Sequence, residues 1–359
     1  MAAEKGRTKR VVVVGAGVIG LSSAVNIIET IPNVEVTLIA EHFEEHMASS
    51  VSGGLWNPRE VPLNGTPMHV LRKWGKETWD HSIPLALSSE ASKIGIEFIP
   101  GYRLYPEMIK EEEEPWWKDD VIGYRRVPQK EIKQLFASTF KDGYFYMTMI
   151  TNCPIYLPYL MKRFLQKGGK AIQRKVDSFG EFAGVYDVVV NCTGLGAKFL
   201  AQDDALEPLR GQIIRVRAPM QHFFILYSLK AGMKGLGNRS FYVFPRNGQV
   251  VLGGTYQHGR WDTKPSQEDA KYILDKASQV LPNLKGSEVV KHLVGLRPCR
   301  SKGVRLEAET MNFGALKIEV VHNYGHEGNG VTLHWGCAKE TTRLVQQILE
   351  KSSTLQARL

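Results

Sequence analysis

Four consecutive valines run directly into a glycine-punctuated turn in RVVVVGAGVIGLSSAVNIIE (residues 10–29), and no other stretch restricts the fold as tightly. An apolar run without alternation predicts a strand buried on both faces, as in a parallel sheet. Gly15, Gly17 and Gly20 then spell G-x-G-x-x-G ahead of helix-compatible residues, and a second strand, VEVTLIA, ends beside Glu41. Each glycine has a mechanical task there: the tight turn, backbone approach to a pyrophosphate, and close helix–strand packing. The helix N-terminus offers unpaired N–H groups and a partial positive charge to phosphates. Glu41 stands where a carboxylate accepts from both ribose hydroxyls and repels a 2′-phosphate, so FAD or NAD is expected over NADP. HMASSVSGGLW (46–56) follows, small and hydroxylic, and suits a backbone lying close to a second ligand feature such as an isoalloxazine.

The rest of the chain tells which classes to exclude. At 359 residues it accommodates two domains or one large interleaved unit. No apolar run reaches the length of a membrane-spanning helix, so no membrane partner is expected. Cys153, Cys192, Cys299 and Cys337 are scattered without a CxxC, which argues for a reducing compartment. The net charge of +9 has no basic stripe interleaved with aromatics. An anionic cofactor or substrate therefore explains it better than nucleic acid, which is not an expected partner. The final Ala357-Arg358-Leu359 resembles the S-K-L peroxisomal address, so a peroxisomal import receptor is an expected partner, with a cytoplasmic location otherwise. Oligomeric state, including a homo-oligomer, stays open.

After Trp56 the pattern becomes less regular. Residues 66–95 read as helical, and EEEEPWWKDD (111–120) reads as an exposed loop. NCPIYLPYLMKRFLQKGGKAI (152–172) reads as a helix leading to a strand. YDVVVNCTGLGA (186–197) reads as another buried strand with a second βα turn at Thr193, Gly194 and Gly196. From Arg210 the chain turns β-rich; HLVGLRPCR (292–300) reads as a short strand broken by Pro298, and residues 337–351 as an amphipathic helix. Dinucleotide features at the start, middle and end imply a discontinuous cofactor domain. The expected fold is α/β: a Rossmann-like FAD-binding domain over 1–58, 152–204 and 303–359, plus an α+β substrate domain with a large mixed β-sheet over 59–151 and 205–302.

Together these landmarks resemble the D-amino-acid oxidase family of FAD flavoproteins along nearly the whole chain. VVHNYGHEGNGVTLHWGCA (320–338) is similar to the family's C-terminal signature, departing where Glu327 replaces a usual small residue. GAGVIGLSSA, VVNCTGLG, RGQIIRV, VVLGGT and GLRPCR agree in order. Several stretches, among them NCPIYLPYLMKR and GGTYQHGRW, look more like D-aspartate oxidases; GGLW and LHWGCA look more like the neutral-substrate enzymes.

The resemblance implies non-covalent FAD and oxidation of a D-amino acid by hydride transfer from Cα to flavin N5, with O2 as acceptor. The products are a 2-oxo acid, ammonia and H2O2, and acidic D-amino acids (D-aspartate, D-glutamate) are expected over neutral ones. No side-chain base is required if the amine arrives neutral. Arg297 is expected to bind the α-carboxylate bidentately, Tyr242 to donate to it, and Gly328 to lie beside the amine, where a side chain would intrude. Arg59 is the expected partner of a distal carboxylate, with Lys234 or Arg239 as a second cation. FAD contacts are expected from Gly15, Ala16, Gly17, Val18, Ile19 and Gly20; from Glu41 and His42; from Ser49, Ser50, Gly53, Gly54 and Leu55; from Val176, Thr193 and Gly194; and from Gly328, Asn329, Gly330, Val331 and Thr332.

Two alternatives stand beside this reading. One is a non-catalytic flavin-binding paralogue in which Glu327 blocks the site. The other is a metal site built from His322, His326, His334 and Cys337. Glycines through residues 325–330 disfavour a helix that would align the histidines, so they are expected to be structural hydrogen-bonding residues, and no metal is expected. A helix beginning near Val331 should point its N-terminus at the flavin edge where negative charge gathers on reduction.

Overall fold

The valine run forms β1 (Lys9–Val14), in which Val11, Val12 and Val13 are fully buried. The computed structural model describes residues 7–43, 47–110, 114–136, 139–228, 239–246 and 248–356. β1 leads into α1 (Val18–Thr30) and β2 (Val34–Ala40), which pairs with β1 in parallel, Val13 opposite Leu38. Then come α2 (Ala48–Val51), α3 (Met68–Ala86), α4 (Ala91–Ile94), β3 (Ile96–Tyr105), β4 (Ile122–Arg126), α5 (Gln129–Leu135) and β5 (Asp142–Thr151). The chain continues through α6 (Cys153–Gln166), β6 (Lys170–Gln173), β7 (Val188–Asn191) and α7 (Ala197–Leu200). A β-rich stretch follows: β8 (Leu206–Arg217), β9 (Phe224–Tyr227), β10 (Arg239–Arg246), β11 (Gln249–Thr255) and β12 (Gln257–His258). The last elements are α8 (Gln267–Val280), β13 (Val289–Arg300), β14 (Arg305–Phe313), β15 (Leu316–Tyr324) and α9 (Gly330–Gln356).

The strands sort into two sheets. A six-stranded sheet runs β14-β15-β7-β1-β2-β6, parallel except for the β14/β15 pair. A nine-stranded mixed sheet runs β12-β8-β11-β10-β9-β3-β5-β4, with β13 on the other side of β8. Alternation explains why β1 must be apolar throughout. Val11 and Val13 enter a core with Ala24 and Val25 of α1, while Val12 and Val14 pack on the opposite face with Phe179, Phe182 and Val189. α9 lies against α1 and α3. At the α3 crossing a Cβ on Gly336 would stand 2.4 Å from Trp74 Cα, so the two helices meet backbone to backbone.

Two expectations fail here for physical reasons. The segment holding Pro298 is not a short, broken strand: β13 runs twelve residues, with Pro298 in register opposite Pro208. The Pro298 carbonyl faces away from β8 and accepts the Glu327 N–H at 2.9 Å. A proline's missing N–H on that side costs no bond to β8. Nor is residues 114–120 simply an exposed loop. Trp117 is among the largest fully buried side chains, tilted against Tyr146 at 4.9 Å, and Trp116 Nε1 donates to the Arg59 carbonyl at 2.8 Å. No helix among the described residues is long and apolar enough to cross a membrane.

Candidate active site

A cavity of about 1720 Å3 opens between the two sheets and is lined by the first βα turn, the 47–59 segment, the β7 exit, the inner face of the large sheet along β8, β10 and β13, and the start of α9. Gly15 turns at φ +107°, and a Cβ there would lie 2.4 Å from the Cys192 carbonyl oxygen. Gly20 does not line the cavity. A Cβ on it would stand 1.8 Å from the Gly15 carbonyl oxygen, so its task is the close packing of α1 on the turn. Gly17 caps α1 without a side chain, and Ser49 Oγ accepts the Val18 N–H at 3.1 Å. Ala16, Val18, Ile19, Glu41, His42, Ser50, Gly53, Gly54, Leu55, Val176, Thr193 and Gly194 all reach the cavity wall.

At the far side, Asn329, Gly330, Val331 and Thr332 bring the first turn of α9 to the same cavity. First-turn N–H groups have no intrahelical acceptor, so this end carries partial positive charge. Thr332 Oγ1 accepts the Asn57 N–H at 3.2 Å and ties the turn to the 47–59 segment. Gly328 and Gly330 meet no protein atom closer than 3.6 Å and 3.9 Å from an added Cβ. The protein itself therefore leaves room at Gly328, and a side chain there would intrude only on a bound molecule. A tight glycine turn ahead of one helix N-terminus, and glycines with free space ahead of the other, bring backbone to both ends of a long cavity, as an extended dinucleotide needs. The residues present fit FAD.

Between the two ends lies a polar cluster. Arg297, on β13, stretches over the Tyr256 ring at 4.5 Å, and its Nη1 donates to the Thr255 carbonyl at 3.1 Å. The guanidinium passes over Gly211, where a Cβ would fall 2.3 Å from Nη1. Tyr242, on β10, stacks on Phe244 at 4.5 Å, and its ring fills the space above Gly253. Burial pushes the Tyr242 hydroxyl up to about 12 against the pull of Arg297, so it stays protonated and available as a donor. The glycines of RGQIIRV and VVLGGT thus make room for the arginine and the tyrosine. Tyr256 and Thr255 escaped the sequence reading, although they directly follow VVLGG and could have been found there.

Arg59 faces the cavity and is ion-paired with Glu327, Nη1 to Oε2 3.3 Å, with side chains 31% and 13% exposed. Arg103, half-buried on the same cavity wall, is held by Glu60 at 2.8 Å. Lys234 and the side chain of Arg239 lie outside the described residues; the Arg239 backbone pairs with Thr255. The four candidate metal ligands do not converge. Asn191 Nδ2 donates to His322 Nδ1 at 3.1 Å, and His322 Nε2 donates to Glu309 at 3.0 Å. His334 Nδ1 pairs with Ser22 Oγ at 2.8 Å. Burial lowers His326 and His334 to about 3 and His322 to about 4. Among the described residues, the grouping whose ligand atoms lie within 4.8 Å of one another is Glu207, His258 and Cys299, a different set.

Residues 10–344 match the family model described as FAD dependent oxidoreductase. The chain is 37% identical to D-aspartate oxidase of Homo sapiens, covering 97% of each chain. It is also 37% identical to D-amino-acid oxidase of Rubrobacter xylanophilus, covering 93% of this chain and 95% of that one. The fold is shared with glycine oxidase from Bacillus cereus at a TM-score of 0.74 and 18% identity, over 94% of this chain and 95% of that one. A match spanning almost every element described above, joined to a cavity that fits the dinucleotide, places the chain in the FAD-dependent oxidoreductase family.

Proposed function

We propose that the protein oxidises D-amino acids to imino acids, which water hydrolyses to 2-oxo acids and ammonia, while O2 is reduced to H2O2, with acidic D-amino acids as the preferred class. The observation that carries this reading is Arg297 lying against Gly328 and hydrogen-bonded to Tyr242, within one cavity that also holds both helix N-termini. Bound FAD supplies the two-electron acceptor and passes the electrons on to O2. The chain's own residues bind and orient. Arg297 grips the α-carboxylate through two N–H groups, and the Tyr242 hydroxyl donates to the same carboxylate. The bare backbone at Gly328 lets the amine and Cα–H come close to the cofactor. Arg59 reads the substrate's far end. Positioning of this kind, rather than a side-chain base, is the protein's contribution.

The sheet memberships support a division of labour: residues 1–58, 152–204 and 303–359 hold FAD, and 59–151 with 205–302 hold substrate. α3 crosses that division by packing on α9. Ala357-Arg358-Leu359, outside the described residues, is the proposed signal to a peroxisomal import receptor.

A second reading, preference for neutral D-amino acids, is favoured by the Glu327 carboxylate already holding Arg59. H2O2 release from FAD-loaded protein with D-Asp, D-Glu, D-Ala, D-Pro and their L-forms separates the readings. Higher kcat/KM for D-Asp and D-Glu is expected; preference for D-Ala selects the neutral reading, and silence on all D-forms sinks the oxidase assignment.

A further inference from the structure

Glu327 is the position at which YGHEGNG departs from the small residues expected there, and the structure gives its side chain a partner. It sits at φ +52°, its N–H bonded to the Pro298 carbonyl at 2.9 Å. The next residue, Gly328, lies against the Arg297 side chain, 3.6 Å from an added Cβ to Cδ. Both Glu327 carboxylate oxygens reach Arg59 Nη1, at 3.3 and 3.4 Å. The Arg59 backbone is pinned in turn by Trp116 Nε1. Two cations near this end of the cavity are therefore matched by acids of the chain itself, Arg103 by Glu60 and Arg59 by Glu327. The two pairs are similarly half-buried, but the second lies one residue from the point where the substrate amine is placed.

We propose that Glu327 is an internal stand-in for a substrate's second carboxylate, and that it sets the balance between neutral and acidic D-amino acids. When the substrate side chain is uncharged, Glu327 keeps the Arg59 guanidinium paired, and the half-buried charge is not stranded. When the side chain carries a carboxylate, that group must exchange with Glu327 for the same guanidinium. The displaced Glu327 then remains close by, and two like charges sharing one cation oppose each other. The acid thus weakens recognition of D-aspartate and D-glutamate relative to a chain with a small residue at 327, and broadens the range of side chains accepted. This inference rests on the reading of Arg59 as the distal contact.

The test is the ratio of kcat/KM for D-Asp to that for D-Ala in FAD-loaded wild type, Glu327→Gln, Glu327→Gly, Arg59→Leu and the double variant Glu327→Gly/Arg59→Leu. Gln keeps the shape, and Gly suits the left-handed backbone at this position. Both single Glu327 variants are expected to raise the ratio at least about tenfold, mainly through a lower KM for D-Asp, and the double variant should lose the rise. Tighter binding of succinate than of propionate, followed in the flavin absorbance spectrum, should appear in the same variants, which covers any that turn over poorly. An unchanged ratio in both Glu327 variants while Arg59→Leu impairs D-Asp would overturn the inference and spare the reading of Arg59. An equal rise for D-Asp and D-Ala would also overturn it, since Glu327 would then merely obstruct the cavity. If Arg59→Leu leaves D-Asp turnover intact, the reading of Arg59 itself falls, and the inference with it.

Discussion

Gly211→Ala is a substitution far from any chemistry by residue type, yet it should disable substrate binding. A Cβ at this position would lie 2.3, 2.4 and 2.6 Å from Nη1, Nη2 and Cζ of Arg297. Ordinary contact begins near 3.4 Å, so the guanidinium must move by 3.4 − 2.3 = 1.1 Å or more. What moves is the far end of a flexible side chain, not backbone, so the fold should absorb the change cheaply. The substrate should not. Bidentate capture of a carboxylate depends on the placement of both N–H groups, and a misplacement of about 1 Å costs on the order of 100-fold in rate. Loss of one charge-assisted hydrogen bond, about 1.5–3 kcal/mol, gives the same order, roughly 10- to 150-fold. The expected result is therefore a fall in kcat/KM of about 30- to 100-fold, carried mostly by KM, with FAD content retained and a melting temperature within about 3 °C of wild type. Arg297→Ala sets the floor, at a loss of about 2–5 kcal/mol. Full activity in a folded, flavin-loaded Gly211→Ala protein would refute the placement of Arg297 over this glycine.

Two further outcomes can be checked. Burial holds His326 and His334 at about 3, below the roughly 6.5 of an exposed histidine. The unfolded chain therefore takes up protons that the folded one refuses: this stability is complete above pH 6.5 and is lost as pH falls from 6.5 toward 3, by up to about 1.4 kcal/mol per pH unit for each histidine. The melting temperature should drop between pH 7.5 and 5, and His334→Gln should shrink the drop; a flat profile in both proteins would contradict the assignment. Deleting residues 357–359 should move a fluorescent fusion from peroxisomes to cytosol with kcat unchanged, and a fusion that stays peroxisomal would remove that tripeptide from consideration.

The parts of this molecule that were readable in one dimension are those whose constraint is local. The valine run, the GxGxxG turn and the 186–197 strand–turn each encode burial or backbone freedom within a dozen residues, and each stands where expected. The strands β3, β4 and β5 were not separable, because they mix Pro100, Gly101 and several tyrosines, and take their order from pairing across the sheet. Pro298 misled because a proline breaks a strand only where its missing N–H was needed, which depends on which side the neighbour lies. The Arg59–Glu327 pair spans 268 residues of sequence and joins two segments that nothing local connects. Both residues were singled out, one for its charge and one for its misfit; only the three-dimensional structure brings them together.

The hydrogen bond from the Glu327 N–H to the Pro298 carbonyl has a consequence for assembly. β13 carries the carboxylate-binding arginine in the large sheet, while residues 325–330 arrive from the other sheet after the β14/β15 hairpin. A slip of β13 by one residue along β8 would turn Arg297 to the opposite face. The same slip would rotate the Pro298 carbonyl away from its donor, so the misaligned strand would also lose its link to the α9 loop. One small contact thus makes the alignment of the two halves self-checking, and a molecule that closes it has already set its substrate arm and its cofactor arm in step.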